Sequence, residues 1–517
     1  MIKIKTNFLV AALMFSAVSC SNPIFAQNKP AVQSNLPFEM PEVQIPIFKA
    51  DTLNIVDFGA VPNTEELCTK AINAAITKCS EMGGGVVVIP AGLWTTGPLK
   101  MKSNVNLHTE NGAFISFTSD LSQYKLIESY FEGNKVLRCE SPIMGVGVEN
   151  IAITGEGIFD GNGSAWRPVK IGKMTDGQWQ ELIQSGGFLS KDGKIWYPSE
   201  GSFIGNEEKD KLPKKPTAEN MEPYKQALRP VMVSLVNCKK LLLDGVTFQN
   251  SPAWNVNPLL CEHLTLRNLT IRNPWYSQNG DGLDIESCRI GTVANCRFDV
   301  GDDAIWGGVK NIFAKNLTFN GTDCGLRFKS VRGRGGVVEN IWMEDIRMNN
   351  IPTDAINFNL YYFEKAIKED PQTGEVIVEK MPVSETTPAF RNMYFKNIYV
   401  NGAKQALKIM GIPEMPVENL QFTNLIIRSD IGIQMNYASK IDFKNIDLRL
   451  EKPGIAASLS NSQNVTVENF KATGENQLFW VGGAETKAIS LQSNANKIAF
   501  DKVKLEESVK SQVKIIQ

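Results

Sequence analysis

A short repeat constrains this chain more than any other feature. Two runs of alternating apolar residues flank a corner residue that is Asn, Asp or Gly, and the pattern recurs through the C-terminal half. The corners recur every 21 to 24 residues, as in the pairs Gly245/Asn268, Asn295/Asn316, Asn424/Asn445 and Asn445/Asn469. The copies are Lys240–Phe248, His263–Ile271, Asn311–Phe319, Asn340–Met348, Asn392–Val400, Asn419–Ile427, Lys440–Leu448, Asn464–Ala472 and Asn496–Leu505.

This repeat predicts a coil that stacks on itself. Alternating apolar positions mean that one face of each run is buried, and Asn tolerates the left-handed backbone of a tight corner. We therefore predict an all-β fold, a single-stranded right-handed parallel β-helix (a solenoid) with about 4.8 Å between turns. A leucine-rich repeat needs a different pattern, and a propeller needs units of roughly 40 residues.

The regions outside the repeat complete the predicted organisation. Residues 63–79 show an apolar stripe at helical spacing, which predicts an N-terminal helix that caps the open end of the solenoid. The β-helix catalytic domain is expected over 51–510, interrupted by an aromatic insertion at about 162–230 and a smaller, charged insertion at about 361–387.

The N-terminus has the pattern of an export signal. Lys3 and Lys5 precede an apolar run, Phe8–Val18, that is too short to span a bilayer. We expect a signal peptide at 1–26, a linker at 27–50, no membrane span, and a periplasmic or extracellular location. Lipidation at Cys20 is the alternative, because Ala17–Cys20 loosely resembles a bacterial lipobox.

Composition excludes several classes of protein. A formal net charge of −1 offers no basic stripe for nucleic acid. The eight cysteines beyond Cys20 lack zinc spacing and lie among apolar residues, so we expect small buried side chains and neither a metal site nor a disulfide scaffold. His108 and His263 are the two histidines, and neither lies beside a candidate nucleophile in the sequence.

Carboxylates in register with the repeat are the main candidates for chemistry. Asp281 precedes Asp302 by 21 residues and Asp303 by 22, which is one turn of the coil. The three side chains are therefore expected on one face, about 5 Å apart. Carboxylates this close repel one another, so at least one should hold a proton near neutral pH, and glycosidic cleavage uses such an acid beside an ionised partner.

Two cations follow at about one further turn. Arg327 and Lys329 alternate on a strand and so share a face. Cations near an acid cluster suit a uronic acid substrate. Taken singly, the acids also fit solenoid corners or a calcium site, and the cations fit an ordinary surface.

The combination resembles the polygalacturonase family, glycoside hydrolase family 28. The similar motifs are Asn279-x-Asp281, Gly301-Asp302-Asp303 and Arg327-x-Lys329, and further likeness lies in Asp57–Ala60, Gly83–Gly92, Gly155–Gly157, Asp160-Gly161, Ser251-Pro252 and Trp254.

The resemblance implies a function and roles for the residues. It implies hydrolysis of galacturonic acid linkages in pectin with inversion, with Asp302 as general acid and with Asp281 and Asp303 activating water. Asn279, Arg327 and Lys329 would bind the substrate. It implies no cofactor or metal, and we expect a monomer whose insertions favour exo action.

One departure leaves alternatives open. The family carries a Gly-His-Gly motif on a turn between the Asp pair and the Arg-x-Lys, whereas Asp302 and Arg327 are only 25 residues apart here. The turn with the histidine is therefore expected to be missing, which predicts weakened or altered activity. The alternatives are a catalytically impaired pectin-binding β-helix and a calcium-dependent pectate lyase.

Overall fold

The structure is a computed structural model that describes residues 36–131, 134–303, 305–306, 309–362, 364–492 and 500–516. The predicted signal peptide and Cys20 lie outside the described residues. Within this part of the chain, 31 strands form one sheet in which the pairings between turns are parallel. This confirms the parallel β-helix.

One helix packs against the first turns of the coil. α1 spans Thr69–Glu81 and buries Ala71, Ile72, Ala75 and Ile76 against the solenoid core. The strands of this region are β1 (Thr52–Asn54), β2 (Gly85–Ile89), β3 (Gly92–Thr96), β4 (Leu99–Lys100), β5 (Val105–Thr109), β6 (Ala113–Phe117), β7 (Leu126–Phe131), β8 (Asn134–Cys139), β9 (Ile143–Val146), β10 (Glu149–Gly155) and β11 (Ile158–Asp160). Among them, β7 and β8 form an antiparallel hairpin outside the coil.

The start of the helix differs from the prediction at 63–79. Asn63 has a left-handed backbone, exchanges hydrogen bonds with Leu93, and is followed by Cys68, whose N–H donates to the Thr95 carbonyl at 2.8 Å. Residues 63–68 are thus held by β3, so the helix begins only at Thr69.

The insertion at 162–230 folds as a small layer of its own. It contains α2 (Asp176–Gln184) and α3 (Glu200–Glu207) with the antiparallel strands β12 (Val169–Lys170), β13 (Phe188–Leu189) and β14 (Ile195–Tyr197). Trp166 and Met221 share a buried cluster with Leu126 and Cys139 of the hairpin, so the insertion and the hairpin pack together.

Three turns in the middle of the coil have three short strands each, and the turn after them has a short strand followed by one of 12 residues. We call one such turn a rung. The strands are β15 (Val233–Val236), β16 (Lys239–Asp244), β17 (Thr247–Gln249), β18 (Val256–Leu259), β19 (Glu262–Arg267), β20 (Thr270–Arg272), β21 (Leu283–Asp284), β22 (Cys288–Ala294), β23 (Arg297–Asp299), β24 (Ile305–Trp306), β25 (Val309–Asn320) and β26 (Leu326–Lys329).

The later part of the chain contains strands of up to 23 residues together with several short ones. They are β27 (Val337–Asn359), β28 (Lys368–Glu369), β29 (Val376–Ile377), β30 (Ala389–Met410), β31 (Val417–Asn436), β32 (Ala438–Leu450), β33 (Ile455–Ser460), β34 (Gln463–Thr473), β35 (Gln477–Gly482), β36 (Lys487–Gln492), β37 (Val503–Leu505) and β38 (Val513–Ile516). β28 and β29 form a hairpin within the charged insertion.

The corners behave as the sequence predicts. Asn268, Asn295 and Asn316 all have positive φ. The Asn316 amide donates to Asn295 at 3.0 Å and the Asn295 amide to Asn268 at 3.2 Å, one rung earlier in each case, while the Asn268 amide donates to Asp244 at 2.7 Å. Inside the coil, aromatic rings stack in columns, with Phe328 and Phe358 at 4.8 Å between centroids. The hydrogen bonds between corner residues and the stacked rings hold successive rungs in register.

All eight cysteines of the described residues are buried and unpaired, which confirms the expectation of small buried side chains. Three of them stack on consecutive rungs, where the Cys238 N–H donates to the Cys261 sulfur and the Cys261 N–H to that of Cys288. No helix within the described ranges has the length and apolar character needed to cross a bilayer.

Candidate active site

Three aspartates meet where two neighbouring rungs turn into the strands β21 and β24. Leu283 pairs with Ile305, and the Gly282 N–H donates to the Asp303 carbonyl at 2.8 Å, so Asp281 lies one rung from Asp302 and Asp303. One carboxylate oxygen from each of the three aspartates lies within 4.8 Å of the other two. The structure thus brings the aspartates together on one face, at the separation that the repeat predicts.

Close backbone packing sets the position of this cluster. A Cβ atom on Gly301 would lie 2.5 Å from the Trp275 carbonyl oxygen, so only glycine fits directly before Asp302. The buried Asn273 amide donates to the Gly280 carbonyl at 2.8 Å and fixes the turn that precedes Asp281. Both aspartate-bearing segments are therefore held by contacts with the preceding loop.

Burial and mutual repulsion favour protonation in the cluster. Burial, followed by the charges of Asp303 and Asp323, raises the pKa of Asp302 to about 6. Burial and the charges of Asp302 and Asp303 also raise the pKa of Asp281 well above its usual range. A proton is therefore available in the cluster at mildly acidic pH.

The two predicted cations lie on the next rung. β24 pairs directly with β26, so the segment of Asp302 and Asp303 is adjacent to that of Arg327, as the spacing of 25 residues predicts. Arg327 Nη1 lies 2.8 Å from Asp303 Oδ1, and Lys329 Nζ lies 3.5 Å from Asp303 Oδ2. Both cations thus bind a carboxylate of the protein itself.

Tyr362, from the start of the charged insertion, covers these cations. The Arg327 guanidinium carbon lies 5.2 Å and Lys329 Nζ 5.3 Å from the centre of its ring. Burial opposes both charges, but Asp303 and the other acidic groups nearby together leave the pKa of Arg327 and that of Lys329 raised. Both side chains therefore stay cationic at acidic and neutral pH.

Asn279 has a partner that sequence reasoning missed. Arg229, at the end of the first insertion, donates to Asn279 Oδ1 at 2.8 Å and to the carbonyl groups of Gln278 and Pro252. The Asn279 N–H donates to Asp302 Oδ2 at 3.0 Å. Arg229 therefore positions the residue that orients Asp302.

Three further charged groups lie at the site. Asp284 is fully buried, and neither of its carboxylate oxygens has a hydrogen-bond partner in the described part of the chain. Asp323 lies on the rung after Asp302, and its N–H donates to the Asp302 carbonyl at 3.1 Å. Lys173, from the first insertion, donates to the Gly301 carbonyl at 2.9 Å. The Asp284 signal was present as Asp281-x-x-Asp284, whereas no pattern in the insertion marks Lys173.

The aspartate oxygens are close enough to act as ligands of a single cation. However, Asp303 already has a guanidinium and an ammonium group against its two oxygens. A calcium site needs six to eight oxygen ligands, so this donor set is a poor fit for calcium. Neither histidine joins the cluster: His108 contacts Thr154, and His263 contacts Gln44 and Glu262.

Comparisons with known proteins show which family this chain is similar to. The sequence profile of glycosyl hydrolases family 28 matches residues 180–308 and 305–410, two segments that meet between Asp303 and β26. A probable polygalacturonase of Vitis vinifera is 23% identical over 73% of this chain and 74% of its own length. An exo-poly-alpha-D-galacturonosidase of Dickeya chrysanthemi is 24% identical over 81% of this chain and 71% of its own length.

Solved structures give the same relationship. The crystal structure of a hyperthermoactive exopolygalacturonase from Thermotoga maritima matches with a TM-score of 0.57 and 25% identity, over 75% of this chain and 89% of that one. The matching profile, the relatives and the shared fold together support the assignment of this chain to glycosyl hydrolases family 28, a family of hydrolases that act on O-glycosyl bonds.

Proposed function

We propose that this chain hydrolyses galacturonic acid linkages in pectin as an exo-acting, inverting polygalacturonase. One observation carries the proposal. A protonatable acid, Asp302, lies beside a carboxylate, Asp303, whose negative charge is compensated by two cations, and a third carboxylate, Asp281, joins them within 4.8 Å. An acid and an ionised carboxylate at one point are the requirement for glycosidic cleavage.

Asp302 is the proposed general acid. Its Oδ2 accepts the Asn279 N–H, which leaves Oδ1 as the oxygen that carries the proton. Asp302 donates this proton to the glycosidic oxygen as the bond from that oxygen to the anomeric carbon breaks. With a pKa of about 6, the carboxyl group is protonated in mildly acidic solution.

Asp281 and Asp303 are the proposed partners of the attacking water. Asp281 Oδ1 is buried without a hydrogen-bond partner among the described residues, so it is free to accept a bond from water. A water with two hydrogen bonds of about 2.8 Å bridges oxygens roughly 4.6 Å apart. The water oxygen bonds to the anomeric carbon, and its proton passes to one of these carboxylates.

The relatives and the charge of the site support a uronate substrate. The Dickeya relative is named for action on poly-alpha-D-galacturonate, and the Thermotoga structure is that of an exopolygalacturonase. The first insertion brings Lys173 and Arg229 to the segments of Asp302 and Asn279. These contacts place the insertion beside the acid cluster, where it would limit access of a long chain along the coil, and this supports exo action.

A second candidate function follows from the Asp303 ion pairs. Arg327 and Lys329 are the residues that the resemblance assigns to the substrate, but here both contact Asp303. The direct pairing of β24 with β26, together with the break in the profile match at 305–308, supports the absence of one rung of the family at this point. A protein of this geometry that binds pectin fragments without turnover is the alternative.

Product analysis separates these candidates. The wild type is incubated with polygalacturonate, with and without chelator, and reducing ends and unsaturated products are measured beside Asp302→Asn and the control Asp299→Asn, whose side chain is exposed. We expect saturated monomer from the wild type and the control, no effect of chelator, and no product from Asp302→Asn. Chelator-sensitive unsaturated products indicate a lyase, and binding without products indicates the non-catalytic alternative.

We also propose that the chain is exported with cleavage after residue 26 and acts as a monomer, with a lipoprotein anchored at Cys20 as the alternative. The basis is the charged and apolar pattern of the leader. Mass spectrometry of the mature N-terminus distinguishes a free Gln27 from a lipidated Cys20, and size-exclusion chromatography with light scattering measures the oligomeric state.

A further inference from the structure

The first insertion places a cation directly beside the proposed acid. Lys173 ends a short turn of helix at Ile171–Lys173, and its Nζ donates to the carbonyl oxygen of Gly301, the residue before Asp302, at 2.9 Å. Burial raises the pKa of Asp302 and that of Asp323, and the charge of Lys173 works against both increases. The Lys173 ammonium therefore lies beside the backbone that carries Asp302, and its charge acts on both carboxyl groups.

The charge of Lys173 has no ion-pair partner in the part of the chain that the structure describes. Arg327 and Lys329, by contrast, pair with Asp303. Arg229 is half-buried, and it donates three hydrogen bonds to neutral oxygens. Lys173 is partly exposed, and an ammonium can donate three hydrogen bonds, of which the one to the Gly301 carbonyl takes a single N–H.

Lys173 also has no counter-ion in Asp302 at the step of the reaction that matters for substrate binding. The proposed acid must be neutral when the substrate is bound, so in that state Asp302 gives Lys173 no negative charge. A partly buried ammonium without a counter-ion is unfavourable, and a carboxylate of the substrate is the natural group to compensate it.

We propose that Lys173 binds the carboxylate of the uronic acid residue next to Asp302, so that the insertion supplies a specificity-determining cation for anionic sugars. This inference rests on the proposed function. It assigns recognition of the substrate charge to a residue about 130 positions before the acid, because the two cations on β26 are occupied by Asp303.

The test compares three variants with the wild type. Lys173→Gln keeps an N–H donor for the Gly301 carbonyl but removes the charge, and Lys173→Met removes both. Lys170→Met is the matched control, since Lys170 is exposed on β12 of the same insertion. Calorimetric titration with trigalacturonate, and with its methyl ester, is made on each variant in an Asp302→Asn background so that turnover does not interfere.

We expect Lys173→Gln and Lys173→Met to weaken trigalacturonate binding by about 10- to 100-fold, the loss typical of a hydrogen bond to a charged group. The methyl ester should bind all four proteins alike, and Lys170→Met should match the wild type. In the catalytically active protein, the weaker binding should appear as a higher KM. The alkaline limb of the pH–rate profile should shift to higher pH, because removal of a nearby positive charge raises the pKa of Asp302.

Unchanged trigalacturonate binding by Lys173→Gln, or equal losses for acid and ester, would overturn the inference. So would a failure of trigalacturonate to bind the protein with Lys173 intact. Turnover is measured separately on wild-type protein, so that failure of the inference leaves hydrolysis in place. Absence of hydrolysis with binding that still depends on Lys173 refutes the proposed function alone.

Discussion

The pH dependence of turnover follows directly from the environment of Asp302. The proposed acid acts only when protonated, and burial together with Asp303 and Asp323 raises its pKa to about 6. An ordinary exposed aspartate would lose its proton near pH 4. The rate should therefore begin to fall at a pH about two units higher than it would with an exposed aspartate as the acid.

The size of the fall can be worked out from this value. With a pKa of about 6, roughly 91% of the acid is protonated at pH 5 and roughly 1% at pH 8. We expect kcat/KM to decrease about 90-fold between these values, approaching a slope of tenfold per pH value above pH 7. The assay is the initial rate of monomer release from trigalacturonate at constant ionic strength and substrate well below KM.

Two results would refute this reasoning. A rate that is unchanged up to pH 8 means that Asp302 does not act as the acid, and a limb centred near pH 4 means that its surroundings do not raise its pKa. Lys170→Met serves as the control because it removes a positive charge from the same insertion without a contact to the cluster in the structure; its profile should overlay that of the wild type.

Three further predictions test the surroundings of the acid. The pKa of Asp302 in the folded protein lies above the ordinary 3.8, so the contribution of this group to stability is full below pH 3.8 and is lost as pH rises through about 6. At pH 8 the free energy of unfolding of Asp302→Asn should therefore exceed that of the wild type by up to about 3 kcal/mol. Below pH 4 its pH dependence should differ little from that of Asp299→Asn. Arg327→Met leaves Asp303 with Lys329 as its remaining cation and should lower the free energy of unfolding by about 3 to 5 kcal/mol. The double variant Asp303→Asn/Arg327→Met should recover part of this stability. A loss below about 1 kcal/mol would show that the ion pair is not a buried one. Nuclear magnetic resonance in the first minutes of cleavage should show product with the anomeric configuration opposite to that of the cleaved linkage. Product with the same configuration would indicate a covalent intermediate, a route that the short distance between the carboxylates also allows.

The parts of the site that repeat with the coil were predictable from the sequence. The interval of 21 or 22 residues places Asp281 one rung from Asp302 and Asp303, and 25 residues place Arg327 on the next, because parallel rungs convert sequence period into position. The Asn corners follow for the same reason, since each needs a left-handed backbone at the same point of every rung.

The parts that depend on folding of the insertions were not predictable. Lys173 reaches Gly301 across 128 residues and Arg229 reaches Asn279 across 50, and both contacts depend on how the insertion packs against the hairpin of β7 and β8. Likewise, the register places Arg327 near Asp303, but only side-chain geometry shows that the cation pairs with that carboxylate.

The central claim is that Asp302 and its neighbours direct water to a glycosidic bond, and isotope labelling tests it most directly. Trigalacturonate is digested in water enriched in oxygen-18, and the fragments are measured by mass spectrometry for the wild type, Asp302→Asn and Asp299→Asn. The account predicts saturated fragments with one heavy oxygen at each new reducing end from the wild type and Asp299→Asn, and none from Asp302→Asn. Fragments lighter by one water molecule, intact substrate with the wild type, or labelled product from Asp302→Asn would contradict it.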